Sequence, residues 1–417
     1  MIDNKGMDIE YRYDAKVYEV NEYEGKRKGK SVLKTKFVII FAIVLVAMTS
    51  IATFNPILGL LARSLGLTEI QSGSLVSITG ICWILGSFLW AKWARTKRKS
   101  VMIIALLGYL LSLAAFAYTA DQAQSGAMNL TFLYWQLFIL RAAGGFFFGA
   151  IPAMAQGYLM EWTTVENRAA GMSLFGGASG LGFVLGPALG ASLTSVGFTA
   201  PMYASVILLL LVVAAFSILI SSGQTKSDGV NPVKIAPTDV RIRLYVAIGL
   251  ALSTVMIILQ VTCGIYIQDQ LAISAQKAAQ LIGVGLSVAG LIVVVVQLLI
   301  GRFLKWKSGR LLKIGLLSLC IAFALFLLLP SMYLIVFILF GIGIGFTLPG
   351  YITAASLAVN ENEQSSVASY TAAAQGVGSF IGPLTGTLFY SLHLSIPYFA
   401  CAALVGMFYV LVVRKTR

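Results

Sequence analysis

From Phe37 onward the chain is a succession of apolar stretches, most of them near the ~20 residues that cross a bilayer as a helix. Residues of types A, V, I, L, M, F, W, Y and C make up 58% of the sequence and charged residues 11%. Soluble domains usually hold ~45–50% apolar residues even with Gly counted in, so the excess points to a membrane protein. The 417 residues are enough for two or three soluble domains, but the uncharged runs argue for one bundle of spanning helices. Twelve spans are expected, at 37–62, 70–91, 101–119, 132–158, 169–193, 199–220, 244–267, 279–301, 311–330, 332–357, 366–390 and 396–413.

The net charge of +14 is explained by where the charges fall, without nucleic acid. Residues 1–36 form a polar tail with nine basic and seven acidic residues, ending in the basic run Lys26 to Lys30 with Lys34 and Lys36. The tail is expected to be mobile, its basic end serving as a flank that orients the first span; the alternative is that this end lies on anionic lipid. No cleavable signal peptide is evident, because the first apolar run starts late and is long. Beyond the tail, 18 of 21 basic residues fall after every second span, on the tail's side, leaving Arg63 and Lys277 on the other side and Arg141 in the membrane. This bias places both termini in the cytoplasm and the chain in the cell (inner or plasma) membrane, multi-pass. The four cysteines, Cys82, Cys263, Cys320 and Cys401, are each isolated in apolar segments and read as packed, reduced thiols.

A glycine ladder in span 5, Gly176 to Gly190, recurs in span 11. Gly180, Gly182, Gly186, Pro187 and Gly190 match Gly376, Gly378, Gly382, Pro383 and Gly386, 196 residues later. Glycines four apart share a helix face and admit a neighbouring backbone, while the proline removes an amide donor and bends the helix. The duplication extends further. Leu65-Gly-Leu-Thr68 before span 2 matches Leu271-Ala-Ile-Ser274 before span 8 at an offset of 206, and Thr68 and Ser274 are plausible N-caps, Thr68 with Gln71 at capping-box spacing. The polar central segment divides six spans from six, giving a half at 37–220, a cytoplasmic central loop at 221–243, a half at 244–413 and a cytoplasmic end at 414–417. The fold expected is all-α, two pseudo-symmetric halves related by an axis along the membrane normal, with a substrate site between them.

Over essentially all of 37–413 the chain resembles the major facilitator superfamily, and within it the twelve-helix drug/proton antiporter branch. Gly182-x-x-x-Gly186-Pro187-x-x-Gly190-Ala191 is similar to that branch's antiporter motif, with Ala191 where a second Gly is usual. Arg141 with Gly145 and Gly149 resembles the family's motif in span 4, and Glu161 with Arg168 its acid-then-Arg cytoplasmic latch. After span 2, Gly86 and the cluster Arg95 to Lys99 are kept, but Lys92 lies near the place of the family's Asp. The resemblance implies a monomeric secondary transporter that exchanges a small molecule for protons across the lipid bilayer, with Gly86, Gly182, Gly186, Pro187, Gly190, Gly382, Pro383, Gly386, Glu161 and Arg168 serving conformational change.

Arg141 lies ~15 Å into span 4, near the midplane, where an unpaired charge costs at least ~2.5–3.5 kcal/mol. It either faces the cavity and meets an anionic group or is a structural Arg bonded to a carbonyl or an Asn of span 1. All acidic residues beyond the tail fall in loops or at span ends, so a cationic substrate would find no central carboxylate; anionic, zwitterionic or neutral substrates are favoured. If protons are coupled, Asp269 and Glu161 are the available carriers, with His393 a weaker one; the simpler reading of Asp269 and Glu161 is as ordinary helix-end charges. Asn55, Gln156, Gln260, Tyr266, Tyr351, Tyr370 and Gln375 are further cavity candidates, each equally able to tie neighbouring helices together. Phe146, Phe147 and Phe148 read as lipid or packing contacts, since three adjacent positions cannot share a face. No nucleophile and base constellation, phosphate loop or metal-ligand spacing appears, so neither an enzyme nor a cofactor is expected. A proton-coupled exporter leads; an uptake carrier or uniporter and a non-transporting receptor or scaffold are the alternatives.

Overall fold

The computed structural model describes residues 5–126, 129–163, 168–220, 236–303, 306–360 and 363–415. The first half holds α1 (Lys5–Ser64), α2 (Glu69–Ser125), α3 (Leu130–Phe148), α4 (Ala150–Trp162), α5 (Arg168–Leu193) and α6 (Ala200–Leu219). The second holds α7 (Arg243–Leu271), α8 (Ala275–Arg302), α9 (Ser308–Leu328), α10 (Tyr333–Leu357), α11 (Gln364–Leu392) and α12 (Ile396–Lys415). Among the described residues, eleven helical stretches are long and apolar enough to cross a membrane. The remaining expected span, 366–390, is α11, a 29-residue helix lowered in hydropathy by its Ser, Thr and Gln residues. Most of the central loop lies outside the described residues.

Local chemistry accounts for the element boundaries. Thr68 caps α2 through a capping box in which its side chain accepts from the Gln71 amide and Gln71 Oε1 accepts from the Thr68 amide, at 3.2 and 2.9 Å. Ser274 caps α8 in the equivalent place, accepting from Lys277 N at 3.3 Å. Spans 2 and 3 are one helical element interrupted at Lys97, whose φ of −135° and ψ of 48° break the helix. A Cβ on Gly145 would strike Thr79, while one on Gly144 would face Ser112 and Tyr109, so residues before and after Lys97 lie at one level and the chain reverses there. Span 4 is divided at Gly149 into α3 and α4, three residues before Pro152, which has no amide to continue the ladder. The tail, expected to be mobile, continues α1 back to Lys5; it has no proline, and Asp8/Arg12, Glu22/Lys26 and Glu24/Lys28 are acid-before-base pairs at helical spacing.

Glycines set how closely the helices approach. Added Cβ atoms on Gly86, Gly145 and Gly149 would stand 2.1, 2.3 and 2.3 Å from the carbonyl oxygens of Phe146, Thr79 and Trp83, so α2 and the α3–α4 span meet almost backbone to backbone. Phe148 is fully buried against Trp83 and Tyr109, and Phe147 lies over Gly108. Aromatic packing also fills the second half, where Tyr266, Phe326 and Tyr398 meet with ring centroids 4.6–5.0 Å apart. All four cysteines are free.

Candidate substrate site and gates

Arg141 projects from α3 into the first half and is 7% exposed. Its Nε donates to the Leu75 carbonyl of α2 at 3.2 Å and a terminal nitrogen donates to Asn55 Oδ1 of α1 at 3.2 Å. The guanidinium lies 4.3 Å from the centroid of the Phe54 ring, a cation–π contact that offsets part of its desolvation. Thr79 Oγ1 donates to the Arg141 carbonyl at 3.3 Å. Arg141 thus makes the carbonyl and span-1 asparagine bonds of the structural reading, but these use two of its five N–H donors. No carboxylate pairs with it among the described residues.

In the second half the Gln375 amide of α11 donates to the Tyr351 hydroxyl of α10, and the Tyr351 ring packs over Gly249 of α7. Arg141–Asn55 and Tyr351–Gln375 are therefore the two places where expected site residues are brought together. Gln156 and Gln260 are half-buried on α4 and α7. Tyr370 packs with Ile242, Ala355 and Val367, while Tyr266 is buried in the aromatic cluster and donates to the Phe326 carbonyl at 3.3 Å. Among the described contacts, Tyr266 is joined to neither pair.

The ladder faces inward within its own half, not across to the other. Cβ atoms on Gly182 and Gly186 would lie 2.6 Å from the Cβ atoms of Met48 and Ala52 on α1, and one on Gly190 3.1 Å from Ile57. In the second copy Gly378, Gly382 and Gly386 meet Ser253, Ile257 and Ile258 of α7 at 2.6, 3.0 and 3.1 Å. A second side of the same helices crosses between halves. A Cβ on Gly283 of α8 would meet Ala191 Cβ at 2.2 Å and the Pro187 carbonyl at 2.9 Å; one on Gly73 of α2 would meet Thr387 Oγ1 at 2.0 Å and the Pro383 carbonyl at 2.7 Å. Ala191 and Thr387, the departures from a glycine at the ladder's end, are thus the residues seated in the opposing glycine sockets.

Charges are paired differently at the two ends of the bundle. At the end bearing Arg63, its guanidinium donates across the halves to Asp269 of α7 at 2.6 and 3.2 Å and to Gln268 at 3.3 Å, and within its own half to Glu69 at 2.9 Å. The Tyr390 hydroxyl of α11 donates to Asp269 at 2.7 Å. At the opposite end, the tail end, the ion pairs among the described residues stay within halves. Arg98 pairs with Glu161 at 2.5 Å and donates to the Gly157 carbonyl, and Arg241 bridges Asp239 and Glu363 at 2.9 and 3.0 Å. The Arg241 guanidinium holds both carboxyls below their ordinary values. Glu161 thus has Arg98 as its partner; the side chain of Arg168 and that of Lys92 lie outside the described residues. At the tail end of α5, Cβ atoms on Gly176, Gly177 and Gly180 would meet nothing within 4 Å. Sequence reasoning missed Arg63 and Tyr390 because their partner is distant in the chain; the available signal was that Arg63 and Asp269 sit at matching ends of spans 1 and 7.

The Major Facilitator Superfamily model matches residues 40–383, most of the chain. The chain belongs to this superfamily. As a Major Facilitator Superfamily protein it is a multi-pass membrane transporter of small molecules rather than an enzyme, and its two six-helix halves are those of that fold. Among curated relatives it is similar to Multidrug resistance protein 2 of Bacillus subtilis (strain 168), 21% identical over 388 residues that cover 89% of this chain and 93% of the relative. Among solved structures it resembles a mutant form of the nucleoside transporter NupG, with a TM-score of 0.71, 12% identity and coverage of 91% of this chain and 100% of that one. A D-xylose–proton symporter gives a TM-score of 0.66 at 15% identity, covering 91% and 96%. At these identities the structures speak for the superfamily fold alone.

Proposed function

We propose that this transporter is a proton-coupled exporter of a small organic molecule, anionic, zwitterionic or neutral, working by alternating access with both termini in the cytoplasm. The observation that carries the substrate class is Arg141, a deeply buried cation with spare donors, in a bundle whose acidic residues beyond the tail all lie in loops or at span ends. Asn55 and Phe54 hold the guanidinium in place, and Tyr351 with Gln375 is the polar pair of the second half. Export is supported by the span-5 motif and by the similarity to a protein named for multidrug resistance. The inter-half contacts at the Arg63 end, set against the uncovered α5 glycines at the tail end, fit a state open to the tail side, from which an exporter would load.

Proteoliposomes loaded with a panel of organic anions, zwitterions and neutral solutes test the reading. Wild-type protein is expected to move members of the panel only when a pH gradient is imposed, and Arg141→Ala to lose the anions first. Transport that favours organic cations, or is unchanged in Arg141→Ala, would defeat the assignment.

A further inference from the structure

We propose that a cavity at the tail end of the second half, between α7, α9, α10 and α12, binds the phosphate of an anionic phospholipid headgroup. The cavity measures about 100 Å³, room for several water molecules and so for a phosphate group. Tyr245, Ser308, Gly309, Leu312, Ala354 and Lys415 are among its lining residues.

The internal repeat shows why space is left there. Added Cβ atoms on Gly145 and Gly341, 196 residues apart, would meet the carbonyl oxygens of Thr79 and Ala289 at 2.3 and 2.5 Å, so α10 repeats span 4 at that offset. Gly108 packs against Phe147 and Leu319 against Gly343, which relates span 3 to α9 at an offset of 211. Gly309 and Ala354 therefore stand where the first half has Arg98 and Tyr158, and Leu357 where it has Glu161. In the first half these side chains occupy the space themselves: the Arg98 guanidinium lies 5.5 Å from the centroid of the Tyr158 ring, donates to the Gly157 carbonyl at 3.0 Å and pairs with Glu161. The second half lacks the guanidinium, the ring and the carboxylate together.

What the second half adds is a cation. Pro201 and Pro397 set α6 and α12 at an offset of 196, which puts Lys415 at the position of Leu219. The Lys415 ammonium is held beside the cavity, 4.5 Å from the centroid of the Tyr245 ring. Among the described residues no carboxylate pairs with Lys415, nor with the exposed Arg243, Lys307, Arg310 and Arg414, which adjoin lining residues in sequence. Asp239 and Glu363, the described acids of this end of the second half, are both held by Arg241. Ser308 and Gly309 open α9 without a side-chain cap, so amide and hydroxyl donors line the cavity with the ammonium. An anion from outside the chain takes the place that Glu161 fills in the first half. Its source is the bilayer: α9 and α12 expose Leu317, Ile321, Met407 and Val410 along the span, a surface for acyl chains, and a basic pocket at the ends of spans suits an anionic headgroup.

The test follows the melting temperature of the full chain in dodecyl maltoside as dioleoyl phosphatidylglycerol, dioleoyl phosphatidylcholine or inorganic phosphate is added. Phosphatidylglycerol is expected to raise it with a saturating dependence, and the other two to raise it little. Lys415→Gln is expected to increase the half-saturating phosphatidylglycerol concentration about 5-fold, and Lys277→Gln, which removes one charge at the opposite end, to leave it unchanged. Ala354→Tyr returns the first half's phenol to the space and is expected to abolish the saturating rise. Native mass spectrometry is expected to find one phosphatidylglycerol fewer on Lys415→Gln than on wild type. Equal half-saturation in Lys415→Gln and Lys277→Gln would overturn the site. An equal rise with phosphatidylcholine would overturn the anionic headgroup, and an equal rise with inorganic phosphate would overturn the lipid as the occupant.

Discussion

Replacing Gly186 by Ala adds one methyl group where two helices meet. Its Cβ would stand 2.6 Å from Ala52 Cβ, 2.7 Å from the Thr49 carbonyl oxygen and 2.8 Å from the Thr53 amide nitrogen. Two of those atoms are backbone and cannot rotate away, so α5 and α1 have to separate by about 1 Å to restore ordinary carbon contact at ~3.5–4.0 Å. The Thr53 hydroxyl bond to the Gly186 carbonyl, 2.9 Å long, is then stretched beyond hydrogen-bond range. Overpacking of this kind costs ~1–3 kcal/mol, and an interhelical hydrogen bond in a membrane adds ~0.6 kcal/mol. Gly180→Ala, on the same helix, is the control, since its Cβ meets nothing within 4 Å and alanine is favoured in a helix by ~0.5–1 kcal/mol. Thermal unfolding in detergent is expected to show Gly186→Ala melting below wild type by ~2–4 °C per kcal/mol lost, with Gly180→Ala at or above wild type. Equal melting temperatures for the two variants would refute the close-packing account of the ladder.

Asn55→Ala leaves the Arg141 guanidinium an acceptor short in a buried site and is expected to cost ~1–3 kcal/mol, read as a lower melting temperature that a bound anionic substrate partly restores. Tyr351→Phe deprives the Gln375 amide of its acceptor while keeping the ring over Gly249, so transport of polar solutes should fall with little change in melting temperature. The carboxyls of Asp239 and Glu363 are held below their ordinary values by Arg241, so their stabilising contribution is present above the unfolded carboxylate range and is lost as pH falls through the lower folded values. Arg241→Gln should therefore lower the melting temperature at neutral pH and converge with wild type in strong acid, as followed by melting curves across pH.

The membrane class, the helix count, the duplication and the caps at Thr68 and Ser274 were legible in the sequence because each follows from local chemistry. Apolar length fixes a span, and a Ser or Thr at the right spacing satisfies the free amides of the following turn. The Gly-x-x-x-Gly face also announced a close helix contact. What it touches was settled by the fold: α1 and α7 within each half, with Ala191 and Thr387 on a second side entering glycine sockets across the gap. The reversal near Lys97 was marked by the basic cluster Arg95 to Lys99 between two expected spans; that the helix runs on almost unbroken to either side of it was decided by the fold.

Arg141 shows the same division at the candidate site. Its cost in the membrane could be read from one position in one span, and so could its need for partners. That those partners are Asn55, the Leu75 carbonyl and the Phe54 ring depends on which faces of α1 and α2 pack on α3. The bond between Arg63 and Asp269 was further from reach, because each residue reads locally as an ordinary helix-end charge. Sequence determined the parts and their repetition, since composition and periodicity act over a few turns of one helix. Tertiary structure alone decided which repeated parts face each other, because atoms some 200 residues apart meet only through the packing of two folded halves about their common axis.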